Sequence, residues 1–251
     1  MLKIILSGVN GAMGHVLQQV IAEDPDCQVV AGFDIEDKGD TAFPVYTNRE
    51  DYQGPADVII DFSHFSAFDG IFGYARKRAI PIVIATTGLT EANQKTIEDG
   101  AKDFPVFKTA NMSLGINVIA GMLRQVAGVL EDGFDIEIIE KHHNKKVDAP
   151  SGTALLLADA INDALDGSKR YTYGREGRDC KRQPEEIGIH AIRGGTIAGE
   201  HTVLFAGNDE LIEIKHTALS KKVFANGAVK AAKFLVDQKP GLYSMEDVIS
   251  Q

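Results

Sequence analysis

The chain has 251 residues, 44% of them hydrophobic and 25% charged, with a formal net charge of −10. That length suffices for one large domain or two modest ones with real cores, and no apolar run approaches the ~20 residues that span a bilayer. The acidic balance argues against a nucleic-acid backbone as the main partner, because phosphate recognition needs a broad basic surface; a small anion needs only a local patch.

The opening MLKIILSGVNG has a short apolar run, then glycines and no signal-type cleavage site, so it reads as a first β-strand of a cytoplasmic protein. Cys27 and Cys180 lie far apart and outside any CxxC spacing, which points to reduced thiols and away from a disulfide framework or zinc site. Lys3 to Ser7 forms the first strand. Apolar residues then recur at helical spacing from Ala12 to Ala22, through Met13, Val16, Leu17, Val20 and Ile21. Further strands are expected at Gln28 to Phe33, Ala56 to Phe62, Ile80 to Ala85 and Val106 to Ala110. Helices are expected at Ser66 to Arg78 and Glu91 to Asp103. Such alternation predicts a parallel sheet covered on both faces.

The glycine loop Gly8-Val9-Asn10-Gly11-Ala12-Met13-Gly14 joins the first strand to the first helix. Its GxxGxxG spacing is weak evidence alone, but Asp34 ends the next strand 20 residues beyond Gly14, where a ribose-binding carboxylate is expected. Glycines allow close backbone approach to a pyrophosphate, whose charge is favoured at a helix N-terminus. Ala85-Thr86-Thr87-Gly88 and Thr109-Ala110-Asn111-Met112 end later strands and fall along the same crevice. Phe62 is a candidate to flank a nicotinamide ring.

Beyond Met112 the pattern changes. A helix is expected from Gly115 to Leu130, a strand from Asp135, and a helix from Leu155 to Leu165. Strands follow at Ile187 to Arg193, Ile197 to Ala206 and Leu211 to Thr217. The last two flank Gly207-Asn208-Asp209-Glu210, a hairpin turn. Asp166 to Pro184 reads as a long polar loop or lid. The final helix, Lys222 to Val236, has no strand of its own and is expected to return to the first domain. The expected organisation is a dinucleotide-binding domain of residues 1–110 and 218–251, and a substrate-binding and oligomerisation domain of residues 111–217.

Within the second of these lies Glu140 to Ala154, EKHHNKKVDAPSGTA, with two histidines and three lysines. On an extended strand His142 and His143 point to opposite faces, so they do not share a metal ion, and no metal is expected. Ser151 reads as the N-cap of the following helix, which aims the amides of Gly152 and Thr153 at an anion. Lys146 and the histidines add charge and protons. The combination suits reduction of a small anionic substrate, where hydride addition is matched by a proton.

This stretch resembles the ExHHxxKxDxPSGTA signature of dihydrodipicolinate reductases at every fixed position, and GVNGAMG, ATTG, ANMSLGINV, GEHTVLF and FANGAVKAA resemble further family segments in order. The resemblance implies an α/β protein with a Rossmann-type nucleotide-binding domain and an α+β mixed-sheet domain that assembles homotetramers. It implies reduction of hydroxy-tetrahydrodipicolinate to tetrahydrodipicolinate on the route to diaminopimelate and lysine. His142 would match the general acid/base and Lys146 the proton donor, with His143, Gly152 and Thr153 holding the substrate carboxylates. The carried-over cofactor positions are Gly8, Val9, Asn10, Gly11, Ala12, Met13, Asp34, Ala85, Thr86, Thr87, Thr109, Ala110, Asn111 and Met112.

Three departures matter. Ile35 follows Asp34 where many members carry an arginine for the 2′-phosphate, so NADH is expected to serve better than NADPH, with Lys38 a possible rescuing cation. Met112 replaces a phenylalanine, a softer surface against the cofactor, and Lys221 stands where an arginine is common. Two rival readings are another two-domain dehydrogenase of amino-acid metabolism and a dinucleotide sensor without chemistry.

Overall fold

The computed structural model of the protein describes residues 1–250. Met1–Ser113 and the chain from Lys221 onward form one compact unit, and Leu114–Ser220 forms another. In the first, strands β1 (Leu2–Ser7), β2 (Cys27–Phe33), β3 (Val45–Tyr46), β4 (Val58–Asp61), β5 (Ile82–Ile84) and β6 (Pro105–Lys108) alternate with helices α1 (Ala12–Ala22), α2 (Phe68–Arg78) and α3 (Glu91–Gly100). Ile4, Ile5 and Leu6 of β1 and Val58, Ile59 and Ile60 of β4 have no exposed surface. Consecutive apolar residues of this kind fit strands covered on both faces. Ile5, Ile59, Ile82, Ile84 and Val106 pack with Phe68, Ile71, Phe72 and Tyr74 of α2 and Ile97 of α3.

The second unit begins with α4 (Leu114–Leu130), then β7 (Asp135–His142), α5 (Gly152–Ala164), β8 (Arg170–Tyr173), β9 (Glu186–Arg193), β10 (Gly199–Ala206) and β11 (Leu211–Ala218). The sheet order is β11-β10-β7-β9-β8. β10 pairs antiparallel with β11 and β7, whereas β9 runs parallel to β7 and β8. Alternation decides which face is core: Ile136, Ile138, Val203 and Phe205 pack with Leu123 of α4 and Leu157 and Ile161 of α5. The opposite face of β11 exposes Leu211, Glu213, Lys215 and Thr217. The hairpin at Gly207–Glu210 is present, closed by Gly207 N–H donating to Glu210 O at 3.0 Å.

The polar stretch read as a lid is not one long loop. It contributes β8, and its Arg175 donates two 2.9 Å hydrogen bonds to Glu137 of β7, joined by Arg182 at 3.1 Å. His190 lies 2.7 Å from the same carboxylate. These partners are 38 to 53 residues away along the chain, so local pattern does not reveal them.

The chain then returns to the first unit with α6 (Lys222–Leu235), β12 (Gly241–Tyr243) and α7 (Met245–Ile249). The completed parallel sheet has the order β12-β6-β5-β4-β1-β2-β3. α6 contacts α1 and β4, β5 and β6, covering the face opposite α2 and α3. Among the described residues no helix is long and apolar enough to cross a membrane.

Candidate functional site

In the first unit, β1 sits between β2 and β4, where the chain order reverses and ligands bind beyond the strands' carboxyl ends. Gly8 follows β1 with φ +81°, and a Cβ there would come within 2.8 Å of the Phe62 carbonyl oxygen; only glycine fits this turn. Gly11 caps α1 without a side-chain hydrogen bond, and the first turn holds no acidic residue, leaving the positive helix end open to an anion. Asp34 accepts from the Asn10 amide at 2.8 Å and the Ile35 amide at 2.7 Å, tying the loop to the end of β2.

A pocket of about 360 Å³ opens there, lined by residues including Gly8, Asn10, Gly11, Asp34 and Phe62. An uncapped helix start, a glycine loop without room for side chains and a carboxylate at the pocket rim fit a dinucleotide. Val9 is fully buried behind the loop, and Ala12 and Met13 begin α1 without lining this pocket. Ala85, Thr86 and Thr87 leave β5, and Thr109, Ala110, Asn111 and Met112 leave β6, at the same sheet edge. Two of these differ from expectation. Thr86 donates to Asp61 at 2.8 Å and is buried, so its hydroxyl holds the loop together. Met112 is 5% exposed, so its side chain is interior packing and not a soft surface for a ligand.

In the second unit the signature folds around one carboxylate. Glu140 has no exposed surface, yet it accepts from Arg193 Nη1 at 2.7 Å and Nη2 at 2.8 Å, and from the Ser151 amide at 3.0 Å. Its Oε2 lies 2.6 Å from His142 Nδ1. Burial pushes this carboxyl's pKa up, but the hydrogen bonds from Arg193, His142 and Ser151 together outweigh burial and hold it below the ordinary range. The pairing orients the His142 ring, as a carboxylate behind an imidazole does elsewhere.

The Lys146 amide donates to His143 O at 3.1 Å and the Asn144 amide to Gly195 O at 3.2 Å, forming the turn that presents His143 and Lys146. Lys146 Nζ lies 2.8 and 2.9 Å from the two oxygens of Asp148, whose pKa is lowered chiefly by that hydrogen bond. Nδ1 of His143 is buried without a hydrogen-bond partner within the protein. Ser151 caps α5 through Ala154 N–H at 3.2 Å, placing Gly152 and Thr153 in the first turn. Among the described residues no group of His, Cys, Asp or Glu is arranged to hold a metal ion.

Asp61, Arg193 and His201 are among the residues here or at the pocket that were not singled out from sequence. His201 is 5% exposed, stands 2.8 Å from Ser151 Oγ and packs edge-on to His142 with centroids 5.2 Å apart. Its pKa is pushed down to about 4, first by burial and then by His142, with His216 and Lys146 acting the same way and Glu140 opposing. Between 6.5 and about 4 the unfolded chain therefore binds a proton that the folded chain refuses, so stability falls as pH falls. Glu140, with a lowered pKa, keeps its contribution above the ordinary carboxyl value of 4.5 and loses it only below. Urea midpoints should show His201→Gln removing about 2 kcal/mol of the stability loss between about pH 7 and 5. An unchanged slope in the variant contradicts this.

Comparison with known proteins covers both units. The family model described as "Dihydrodipicolinate reductase, N-terminus" matches residues 2–112, and "Dihydrodipicolinate reductase, C-terminus" matches residues 115–249. A protein of Caldanaerobacter subterraneus subsp. tengcongensis named 4-hydroxy-tetrahydrodipicolinate reductase is 53% identical over 251 residues, 100% of this chain and 99% of its own. One of the same name from Clostridium tetani is 46% identical over 250 residues, 100% of this chain and 98% of its own. The solved structure of dipicolinate-bound dihydrodipicolinate reductase from Paenisporosarcina sp. TG-14 shares the fold, with TM-score 0.82 at 23% identity over 98% of this chain and 99% of that one.

Proposed function

The chain belongs to the dihydrodipicolinate reductase family, and on that premise we propose that it reduces 4-hydroxy-tetrahydrodipicolinate to tetrahydrodipicolinate on the route to diaminopimelate and lysine. The product lacks the substrate's hydroxyl, so one hydride and one proton enter and water leaves. The observation that carries the reading is the second-unit cluster: a buried Glu140 holding His142, beside Lys146 and the unpartnered Nδ1 of His143.

Reduced nicotinamide, when bound, supplies the hydride. The loop from Gly8 to Gly11 would hold the pyrophosphate at the start of α1, and Asp34 the ribose, with Ala85, Thr87 and Thr109 to Asn111 along the strand ends. His143 and the first turn at Gly152 and Thr153 would hold the two carboxylates, a helix start favouring negative charge. Lys146 would deliver the proton, because its ammonium is tied only to an exposed Asp148 and can exchange that partner for substrate. His142 has one ring nitrogen against Glu140, which leaves the other to act as acid/base toward the ligand.

NADH is the expected better cofactor, because Ile35 offers no charge to a 2′-phosphate and Asp34 repels one. Assembly as a homotetramer through the second unit's sheet is supported by Leu211 and Ile192, apolar residues 58% and 46% exposed on the face away from its helices. A cytoplasmic location suits a biosynthetic reductase. The test of function and cofactor is an assay in which a synthase generates the substrate in situ and nucleotide oxidation is followed. Substrate-dependent oxidation is expected, with kcat/KM higher for NADH. A tenfold advantage for NADPH, about 1.4 kcal/mol, contradicts the reading of Asp34 and Ile35.

A further inference from the structure

The nucleotide pocket contains a cation that the glycine loop and Asp34 leave unexplained. β2 and β3 pair in parallel, Gly32 with Val45 and Phe33 with Tyr46. Residues leaving the two carboxyl ends therefore run side by side, Asp34 and Ile35 from one, Thr47 to Arg49 from the other. The Asp34 amide donates to Tyr46 O at 3.4 Å, and Asp34, Ile35, Thr47 and Arg49 line the same pocket.

Arg49 is held there without being neutralised. Its guanidinium lies over Gly70 in the first turn of α2, where a Cβ would come within 1.9 Å of Nη1 and 2.6 Å of Cζ; the missing side chain makes the slot. Nε is buried with no hydrogen-bond partner. Among the described residues no carboxylate pairs with Arg49, although Glu50 and Asp51 follow it. Glu50 takes Lys77 at 2.7 Å, and Asp51 accepts from Asn48 at 2.9 Å. Asp34 has an amide on each oxygen. His64, also in the pocket, accepts from the Ser66 amide through Nδ1 at 3.3 Å, so Arg49 is the permanent cation of this lining.

We propose that Arg49 receives the 2′-phosphate of NADPH and so sets how far the chain uses that nucleotide beside NADH. The inference rests on the dinucleotide reading of the first unit. The pyrophosphate belongs at the start of α1, which leaves the β3 side for the ribose substituent. A guanidinium presents a planar fork that matches a phosphate. Lys38, the cation suggested by sequence, is exposed and does not line the pocket.

Calorimetric titration of the full chain with AMP and with adenosine 2′,5′-bisphosphate tests this without turnover. Arg49→Gln should raise the ratio of bisphosphate Kd to AMP Kd about tenfold or more, as loss of one charge-assisted pair does. Arg49→Lys, keeping charge without the fork, should raise it by less, and Lys38→Gln should leave it unchanged. An unmoved ratio in Arg49→Gln overturns the proposal, as does equal weakening of both ligands, which marks a purely structural arginine. If AMP binds but turnover is absent, the reductase reading fails and Arg49 is still decided by the ratio. If neither ligand binds the wild type, the nucleotide reading and this proposal fall together.

Discussion

Lys146→Ala lowers kcat by about two to four orders of magnitude, the range for loss of a positioned proton donor. NADH affinity should stay within about twofold of wild type, since only a group acting on substrate is removed. Asp148 is 64% exposed while Lys146 is 19% exposed, so the carboxylate side of the ion pair is open to water, which weakens its contribution to stability. Exchanging Asp148 for a substrate oxygen then costs little, and the ammonium remains available to hold and release a proton. The nucleotide pocket is built from the glycine loop and the ends of β2, β3 and β4 in the first unit, with no residue of the Lys146 turn. Stopped-flow or steady-state kcat set against a direct NADH titration separates the two effects. Equal loss of NADH binding would contradict a proton-donor role.

The second large effect is structural. Arg193→Ala should destabilise the protein by about 3–5 kcal/mol, because it strips a buried carboxylate of its countercharge. Glu140 has no exposed surface, and Arg193 supplies two of the donors that hold it. Arg193 also donates to Asp148 O at 2.7 Å, so the Lys146–Asp148 turn loosens in the variant and kcat falls with stability. The exposed pair Lys77–Glu50, 68% and 46% open to solvent, serves as comparator, since its loss should cost at most ~1 kcal/mol. Urea midpoints at unchanged slope measure both. The Glu140 contribution is fully present above its unfolded pKa and lost as pH falls through its lowered folded value, so the two proteins converge in acid. A cost for Arg193→Ala no larger than that for Lys77→Ala would mean Glu140 is not held as a charged hub.

Much of this was legible locally. The helix Ala12–Ala22 follows from its apolar spacing, Asp34 from its distance to the glycine loop, and the Ser151 cap from a serine before an apolar helical run. The return of α6 followed from a helix lacking a strand. What stayed hidden depends on partners distant in sequence. β3 has two residues and exists through its pairing with Gly32 and Phe33. β8 lies in a polar segment and is fixed by β9 and by arginines meeting Glu137. β12 is likewise a three-residue edge strand held by β6. At the site, the signature contains Glu140, but Arg193 is 53 residues away and His201 stands 50 residues from Ser151. Arg49 becomes meaningful only when β2–β3 pairing and Gly70 bring it to the pocket.

The activity at stake is reduction of the dicarboxylate product of a synthase with a nicotinamide nucleotide. Its most direct measurement is the initial rate of nucleotide oxidation by the wild-type chain while that product is generated in situ, with the synthase omitted as control. Oxidation that depends on the synthase, faster with NADH, is the predicted result. No oxidation with either NADH or NADPH, when separate titration shows the nucleotides bound, would contradict it and leave a dinucleotide-binding protein without this chemistry.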